Sequence, residues 1–239
     1  MPLKTTESLS IQNKKIVYKL LRSKKRKRSL SMQLKTNGQI QLSVPYHTKI
    51  NVIEDFIVTK YQWIRNKQIE QSVQPKPVTL LYHDAAKHLY KGVEYPLRLI
   101  TSNQTKVEIN NNYINIFHRK NTSIKNILTK WYRQQSLQYF SQRTHLFANS
   151  YNFPKVQAIK VRNMKARWGS CSSSAVITYN IHLLKATPAM IDYVIIHELC
   201  HLIHPNHSAR FYALQAQINP TWKQQKQLLH QQEYAIIPI

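Results

Sequence analysis

The sequence has few cysteines, few glycines and no long apolar run, and each shortage excludes a class of protein. Its 2 cysteines, Cys171 and Cys200, cannot build a disulfide framework, and its 3 glycines provide no glycine-rich phosphate loop. No apolar run is long enough to span a membrane, and the first fifteen residues contain no apolar segment of a signal peptide. We therefore expect a cytoplasmic protein without membrane-spanning segments.

Carboxylates are also scarce, so the chain is strongly basic. Lys and Arg number 35 against 10 Asp and Glu, which gives a formal net charge of +25 at pH 7. Because the excess occurs in every part of the chain, it predicts anionic partners such as nucleic acid, nucleotides or acidic protein segments. The basic run at residues 24–28 fits either phosphate contacts or a solvated, charged strand edge. The alternative for the whole surface is that its charge serves solubility alone.

The N-terminal half has the alternating apolar pattern of short strands. Such segments lie around residues 16–18, 29–35 and 39–44, with Asn37-Gly38 as the hairpin turn between the last two. From residue 49 to about residue 68 the apolar side chains recur at helical spacing, which predicts an amphipathic helix. A hydrophobic content of 42% supplies enough apolar side chains for a core.

Strand character returns at residues 88–117, which predict a β-meander with turns at Gly92 and at the asparagine run 110–112. A long helix is predicted from about residue 123 to residue 148, so the pattern changes there from strand to helix. The sequence shows no internal repeat. This order of elements predicts the α+β class.

One carboxylate lies inside an apolar run and is flanked by histidines, in IDYVIIHELCHLIHPNH at residues 191–207. His197 and His201 are four residues apart, so on a helix both imidazoles lie on one face and can bind one ion. Glu198 is rotated by about 100° from His197 and can take a proton from bound water. The pattern is the His-Glu-x-x-His arrangement of zinc hydrolases. The alternative is a core helix whose imidazoles are satisfied by ordinary hydrogen bonds.

A catalytic zinc site normally has three protein ligands and one position for water, so a third ligand must come from elsewhere. His204 and His207 are the candidates. His204 precedes Pro205, which moves it out of helical geometry and ends the helix, whereas His207 follows the turn. We favour His207 as the third ligand.

The segment RNMKARWGSC at residues 162–171 places cations close to this motif in sequence. If the segment is extended, Lys165 and Arg167 lie on one face and Trp168 lies on the other, while Gly169 permits a sharp turn. The cationic side chains suit a carboxylate, a phosphate or an oxyanion. The alternative is a basic outer face above a buried tryptophan.

This segment, the run ITYNIHLLKATPAMIDYVIIHELCHL and the later NHSARFY together resemble the YgjP-like metallopeptidase-type hydrolases, which are relatives of the SprT-like zincins. The resemblance extends more weakly through the N-terminal strands. The sequence departs from the usual family pattern at Tyr179, His182 and Tyr212, where leucine, arginine and tryptophan are expected.

The resemblance implies a minimal zincin core after a β-rich N-terminal part. It also implies zinc at His197, His201 and His207, with Glu198 as general base, and it places Lys165 and Arg167 at the substrate. The expected organisation is a polar tail at residues 1–13, a basic β-rich region at 14–122 and a zincin-like hydrolase domain at 123–239.

We therefore predict a zinc-dependent hydrolase, a metallopeptidase that acts on protein substrates. The alternative is a metal-dependent nucleotide pyrophosphatase or phosphohydrolase, in which Arg162, Lys165 and Arg167 would bind phosphates. A second alternative is a nucleic-acid-binding protein with a structural zinc. Glu198 argues against that alternative, because a structural site has no need of a base.

Overall fold

A computed structural model describes residues 3–11, 14–35, 38–73, 80–164 and 167–236. The chain divides into two compact units, unit 1 at residues 1–74 and unit 2 at residues 75–239. The described residues form six α-helices, one 3-10 helix and three small sheets, so the α+β class is confirmed. No helix in this part of the chain is long and apolar enough to cross a membrane.

Unit 1 is a four-stranded sheet followed by two helices. Its elements are β1 (Leu3–Ile11), β2 (Lys14–Ser23), β3 (Ser31–Leu34), β4 (Ile40–Pro45), α1 (Ile50–Thr59) and α2 (Tyr61–Val73). The strand order is β1-β2-β4-β3, and β2 runs parallel to β4. Alternate residues of β2 and β4, such as Tyr18, Leu20 and Leu42, are buried in one cluster with Ile53 and Ile57 of α1. Alternation of apolar and polar residues thus builds this core as the sequence predicts.

Three predictions for unit 1 need correction or qualification. The prediction of a polar tail at residues 1–13 is wrong, because β1 pairs with β2 along its whole length. Leu9 and Ile11 of β1 pack against the core of unit 1. The helix predicted from residue 49 to residue 68 is divided at Lys60 into α1 and α2. Of the predicted Asn37-Gly38 turn, Asn37 lies outside the described residues. The basic run 24–28 connects β2 to β3.

Unit 2 begins with a second four-stranded sheet, of β5 (Lys87–Tyr90), β6 (Val93–Thr101), β7 (Lys106–Asn110) and β8 (Tyr113–His118). The predicted turns are present: Gly92 has a φ of +80°, and Asn111 and Asn112 have φ values of +50° and +63°. The meander is wrong, because the order is β5-β6-β8-β7 and β6 runs parallel to β8. The apolar strand β8 takes the interior position, since Ile114 and Ile116 are fully buried, and the more polar β7 lies outside it.

The two four-stranded sheets have the same connectivity, although the sequence shows no repeat. Each sheet consists of two hairpins. The second strands of the two hairpins pair with each other in parallel and form the two central strands of the sheet. In each, helices follow the last strand. Strands β5 to β8 belong to unit 2, so the predicted domain boundary after residue 122 falls within that unit.

The rest of unit 2 surrounds one buried helix. Its elements are α3 (Ile124–Ser150), β9 (Ala158–Arg162), β10 (Gly169–Cys171), β11 (Val176–Asn180), the 3-10 helix (Ile181–Lys185), α4 (Pro188–Cys200), α5 (Ala209–Ile218) and α6 (Trp222–Ile236). The order of the third sheet is β10-β11-β9. Helix α4 packs against α3, α5, α6 and β10, and its apolar residues, such as Ile191, Ile195 and Leu199, are fully buried.

Local signals determine where α4 begins. The Thr187 hydroxyl accepts a hydrogen bond from the Met190 amide, and Pro188 occupies the first turn, and both residue types favour these positions at the start of a helix. The Gly92 turn packs directly on this cap, because a Cβ on Gly92 would lie 2.7 Å from Thr187 Cγ2. The N-terminal end of α4 is therefore held by the second sheet as well as by its own cap.

Candidate metal centre

The end of α4 and the loop after it bring three histidines together. His197 lies in the last turn of α4, and His201 is its C-cap with helical backbone angles. The helix ends at Cys200, one turn earlier than Pro205 alone predicts, and the chain then turns through residues 201–203. Ser208 caps α5 by accepting a hydrogen bond from the Phe211 amide. This cap places His207 at the turn between the two helices.

His197, His201 and His207 form a compact cluster, in which their nearest ligand nitrogens all lie within 4.8 Å of one another. Nε2 of His207 lies 3.1 Å from Nε2 of His197. Two nitrogens bound to a tetrahedral zinc at ordinary bond lengths are about 3.3 Å apart, so this donor set fits zinc. The ring of Phe211 is fully buried, and its centroid lies 4.7 to 5.0 Å from the centroids of all three imidazoles. Phe211 therefore packs against the whole cluster.

Hydrogen bonds orient two of these imidazoles. Nδ1 of His197 donates to Oε1 of Gln215 at 3.2 Å, and Nδ1 of His201 donates to the carbonyl of His204 at 3.2 Å. When Nδ1 carries the proton, Nε2 presents a lone pair, which is the tautomer that a metal needs. His204 thus contributes its backbone carbonyl, and its side chain is outside the cluster.

Burial favours the neutral form of His197 and His201. Loss of solvent, together with the nearby His201, lowers the pKa of His197 to about 4. Burial also lowers the pKa of His201, although its bond to the His204 carbonyl opposes the shift. Neutral imidazole is the form that binds a metal, so neither of these two rings has to lose a proton at neutral pH.

Gln215 is a site residue that the sequence analysis missed. Its side chain is fully buried on α5, and its Nε2 has no hydrogen-bond partner among the described residues. The apolar positions around it predict only a covering helix. The sequence did contain a signal for Gln215, which follows Phe211 by four residues and therefore lies on the same face of the helix. An amide on a buried face requires a polar partner, which points to a polar group such as an imidazole nearby.

Glu198 is 4% exposed, and Gly169 of β10 gives its carboxyl group space. A Cβ at Gly169 would lie 2.7 Å from Glu198 Cγ and 2.8 Å from its carboxyl carbon. The sequence predicted a sharp turn at Gly169, but the residue begins a strand and has no positive φ. Its role is the close approach of β10 to α4. Burial raises the pKa of Glu198 to about 8, while the charge of Arg167 opposes that rise.

The cluster lines an open cavity of about 580 Å³. Its walls include Glu198, Arg167, all three residues of β10 and the turn after that strand. Of the predicted substrate-binding residues, Arg167 lines the cavity and Arg162 lies on β9 outside its lining. Lys165 lies outside the described residues. Residues 163, 164, 167 and 168 have no regular secondary structure, so the predicted extended strand is not found there.

The two cysteines differ in their relation to this cavity. Cys171, which the sequence analysis left out of the site, lines the cavity, and burial with the nearby Glu198 raises its pKa to about 11. Cys200 is fully buried in α4, and burial raises its pKa to about 12. Both thiols are therefore protonated at neutral pH.

The three departures from the family pattern occupy different places. Tyr179 is fully buried, and its hydroxyl is 2.9 Å from the Thr144 hydroxyl. Tyr212 lies beside the cluster, since its ring stacks 5.1 Å from Trp222 and is 6.1 Å from the His207 ring. His182 lines a separate cavity of unit 2. Of the three, only Tyr212 makes an aromatic contact with the histidine cluster.

Three clustered imidazoles beside a buried carboxyl group, in an open cavity of an α+β unit, are the features of a metal-dependent hydrolase. The model of the family described as "YgjP-like, metallopeptidase domain" matches residues 28–232, and the chain belongs to this family. Membership confirms the resemblance seen in the sequence and implies a metallopeptidase-type hydrolase with a metal, typically zinc. A comparison with curated proteins found no significant match.

Proposed function

We propose that this protein is a zinc-dependent metallopeptidase that cleaves protein substrates. His197, His201 and His207 hold the metal, and Glu198 is the general base. The observation that supports this most strongly is the convergence of three imidazoles within 4.8 Å, in the same cavity as Glu198. The family membership of the chain supports the same class of activity.

The residues of the site have distinct tasks. When bound, zinc lowers the pKa of water and polarises the scissile carbonyl. The positive charge of a bound zinc would oppose the effect of burial on the pKa of Glu198 and favour its carboxylate form. The carboxylate can then take a proton from the attacking water and deliver it to the leaving amine. Gln215 and the His204 carbonyl hold the imidazoles in orientation. Arg167 supplies a positive charge to the cavity, which suits a carboxylate or a developing oxyanion.

The shape of the site favours a peptide over a nucleotide. Strand β10 lies at the edge of its sheet within the described residues and also lines the metal cavity. An extended peptide can pair with such an edge, which would place its backbone along the cavity. Arg167 is the one permanent cation of the described lining, whereas a triphosphate is usually held by several cations or by a glycine-rich loop.

Zinc-loaded protein should be assayed on casein and on a panel of nucleoside triphosphates, beside Glu198→Gln. We expect about one zinc per chain in both proteins, and casein cleavage that falls by about 10²- to 10⁴-fold in the variant. Glu94→Gln is the matched control, because it removes an exposed carboxylate outside the site. Cleavage of nucleotides alone would contradict the substrate class. Zinc binding without any hydrolysis would contradict the enzymatic role and favour a structural zinc.

A further inference from the structure

Unit 2 contains another cavity, here named the basic cavity, and none of its described lining residues also lines the cavity of the histidine cluster. Its volume is about 390 Å³, within the range of small-molecule sites. Its lining includes His88, Lys125, Tyr132, Arg133, His182 and Lys185. Lys185 ends the 3-10 helix just before α4, whereas the histidine cluster lies at the other end of α4.

Lys185 is a buried cation without a carboxylate partner in this cavity. It is 5% exposed, and its Nζ donates to the Ile236 carbonyl at 3.2 Å. Its Nζ also lies 5.8 Å from the centre of the Tyr132 ring. No Asp or Glu is among the described residues that line the cavity. A buried ammonium is costly unless it is paired, and an ammonium has three protons to donate.

Two imidazoles lie beside this ammonium. His88 is 2% exposed, and its Nε2 donates to the Leu81 carbonyl at 2.8 Å. Its Nδ1 is buried and has no partner among the described residues, so in this tautomer it can accept a hydrogen bond. Burial and Lys185 lower the pKa of His88, and the same causes lower that of His182 to about 4. Both rings are therefore neutral at pH 7, and the positive charge of the interior belongs to Lys185.

The outer part of the cavity adds more positive charge. Lys125 and Arg133 are eight residues apart on α3, which is close to two helical turns, and both are exposed. Leu128 and Tyr132 lie on the same face and are buried. The cavity thus has exposed cations at its surface and, in its lining, a buried cation and two neutral imidazoles. This arrangement attracts anions.

We propose that the basic cavity binds a small molecule that carries a phosphate group. Phosphate oxygens accept hydrogen bonds from Lys185 and Arg133, and a hydroxyl of the ligand donates to His88. A phosphate dianion matches the several uncompensated cations better than a single carboxylate, and guanidinium binds phosphate through two parallel hydrogen bonds. The volume exceeds the needs of a bare ion, so a phosphate monoester fits better than inorganic phosphate.

Calorimetric titration of the zinc-loaded full chain tests this site with three probes: glycerol 3-phosphate, inorganic phosphate and succinate. We expect the phosphate monoester to bind most tightly, and Arg133→Gln and Lys185→Met each to weaken its binding by about tenfold or more. Lys130→Gln is the matched control, because it removes a cation from α3 outside the cavity lining. It should leave the affinity unchanged.

Several results would overturn the proposal. If Lys130→Gln weakened binding of the phosphate monoester as much as Arg133→Gln does, the binding would reflect general charge attraction. If only His201→Ala abolished binding, the ligand would lie at the histidine cluster. Equal affinity for succinate would contradict the phosphate class, and tighter binding of inorganic phosphate would contradict the monoester. Absence of binding at about 10 mM ligand would remove the site altogether. Arg133→Gln changes an exposed residue, so it decides the question even if Lys185→Met fails to fold.

Discussion

Glu198 and Gly169 depend on each other at the scale of single residues. The carboxyl group of Glu198 occupies the space that a side chain at position 169 would need. A general base must lie within hydrogen-bond reach of the proton that it moves, so the glycine limits where Glu198 could act in the proposed role. The role of Gly169 is thus steric, and it belongs to the site although the residue has no functional group.

Gly169→Ala should displace Glu198 and reduce peptide hydrolysis by about 10²-fold or more, because the added methyl group overlaps the carboxyl group. Zinc content should stay unchanged, since the added methyl group would meet Glu198, which is not one of the proposed ligands. Ser170→Ala is the control: it is the next residue of β10, lines the same cavity and already has a Cβ. Full activity of Gly169→Ala would show that the carboxyl group has another productive position.

The two histidines after α4 should respond differently to alanine substitution. His207→Ala removes one of the three clustered imidazoles and should weaken zinc binding by orders of magnitude, as measured by competition with a chelator. His204→Ala keeps the backbone carbonyl that orients His201, so its zinc affinity should stay within about threefold of the parent. The opposite order of effects would remove His207 from the ligand set.

At the scale of elements, α5 supports the metal centre from outside the His-Glu-x-x-His motif. It supplies Phe211, which packs under all three imidazoles, and Gln215, which accepts from His197. The helix cap at Ser208 also fixes the position of the loop that carries His207. The site therefore needs α4 and α5 to be packed together.

Gln215→Leu should weaken zinc binding by about 10- to 100-fold, because it leaves Nδ1 of His197 without its acceptor and frees the ring to rotate. Chelator competition measures the loss. Gln217→Leu, on the exposed face of the same helix, provides the matched control and should bind zinc normally. Equal zinc affinity in the two variants would mean that the hydrogen bond has no part in orienting His197.

A paired ion contact joins α3 to α4. Nε and Nη2 of Arg143 donate to the two carboxylate oxygens of Asp192 at 2.8 and 2.6 Å. Both side chains are partly shielded from solvent, with exposures of 29% and 21%. Two parallel hydrogen bonds in a shielded position are stronger than an ordinary surface ion pair.

Asp192→Asn should lower the free energy of unfolding by about 1 to 3 kcal/mol, since it leaves the Arg143 guanidinium without its charge partner. Urea unfolding followed by tryptophan fluorescence measures the change. Glu94→Gln breaks the exposed contact with Lys87 and should cost less than about 0.5 kcal/mol. If the two substitutions have the same effect, the Arg143 contact adds nothing beyond surface electrostatics.

At the scale of the whole molecule, the net charge of +25 is the dominant property. Both units carry an excess of cations, so the charge is not explained by the metal centre alone. The basic run 24–28 connects two strands of unit 1 and is partly engaged within its own unit. Arg26 donates to the Ser29 carbonyl at 3.1 Å, and Lys24 lies 5.3 Å from the Tyr46 ring centre.

If the charge serves nucleic acid, Glu198→Gln protein should bind DNA or RNA with little sequence preference. Its affinity should fall steeply between about 50 and 200 mM salt, because binding releases condensed counterions. Neutralising residues 24–28 should reduce the salt slope and leave the zinc content unchanged. A control of equal charge in the same unit is the set Lys15, Lys19, Lys49, Lys60 and Arg65. The same slope in both variants would exclude a special role for the run, and absence of binding at low salt would exclude the nucleic-acid partner.

The local chemistry of this protein could be predicted from the order of its residues. The spacing of His197, Glu198 and His201 follows from the helical period, and the start of α4 follows from Thr187-Pro188. The turns at Gly92 and at the asparagine run were also predictable, because their positive φ angles favour glycine and asparagine. These features depend on neighbours in sequence, so a pattern in the chain is enough to reveal them.

The features that join distant segments could not be predicted in this way and become visible in the folded chain. The pairing of β6 with β8 depends on which strand buries more apolar surface. The positions of the strands along the chain do not reveal which strands pair. Gly169 and Gln215 enter the metal centre because β10 and α5 pack against α4. The basic cavity likewise combines α3, β5 and the 3-10 helix. Such contacts arise from packing between elements far apart in the chain, so no local period or spacing in the sequence encodes them.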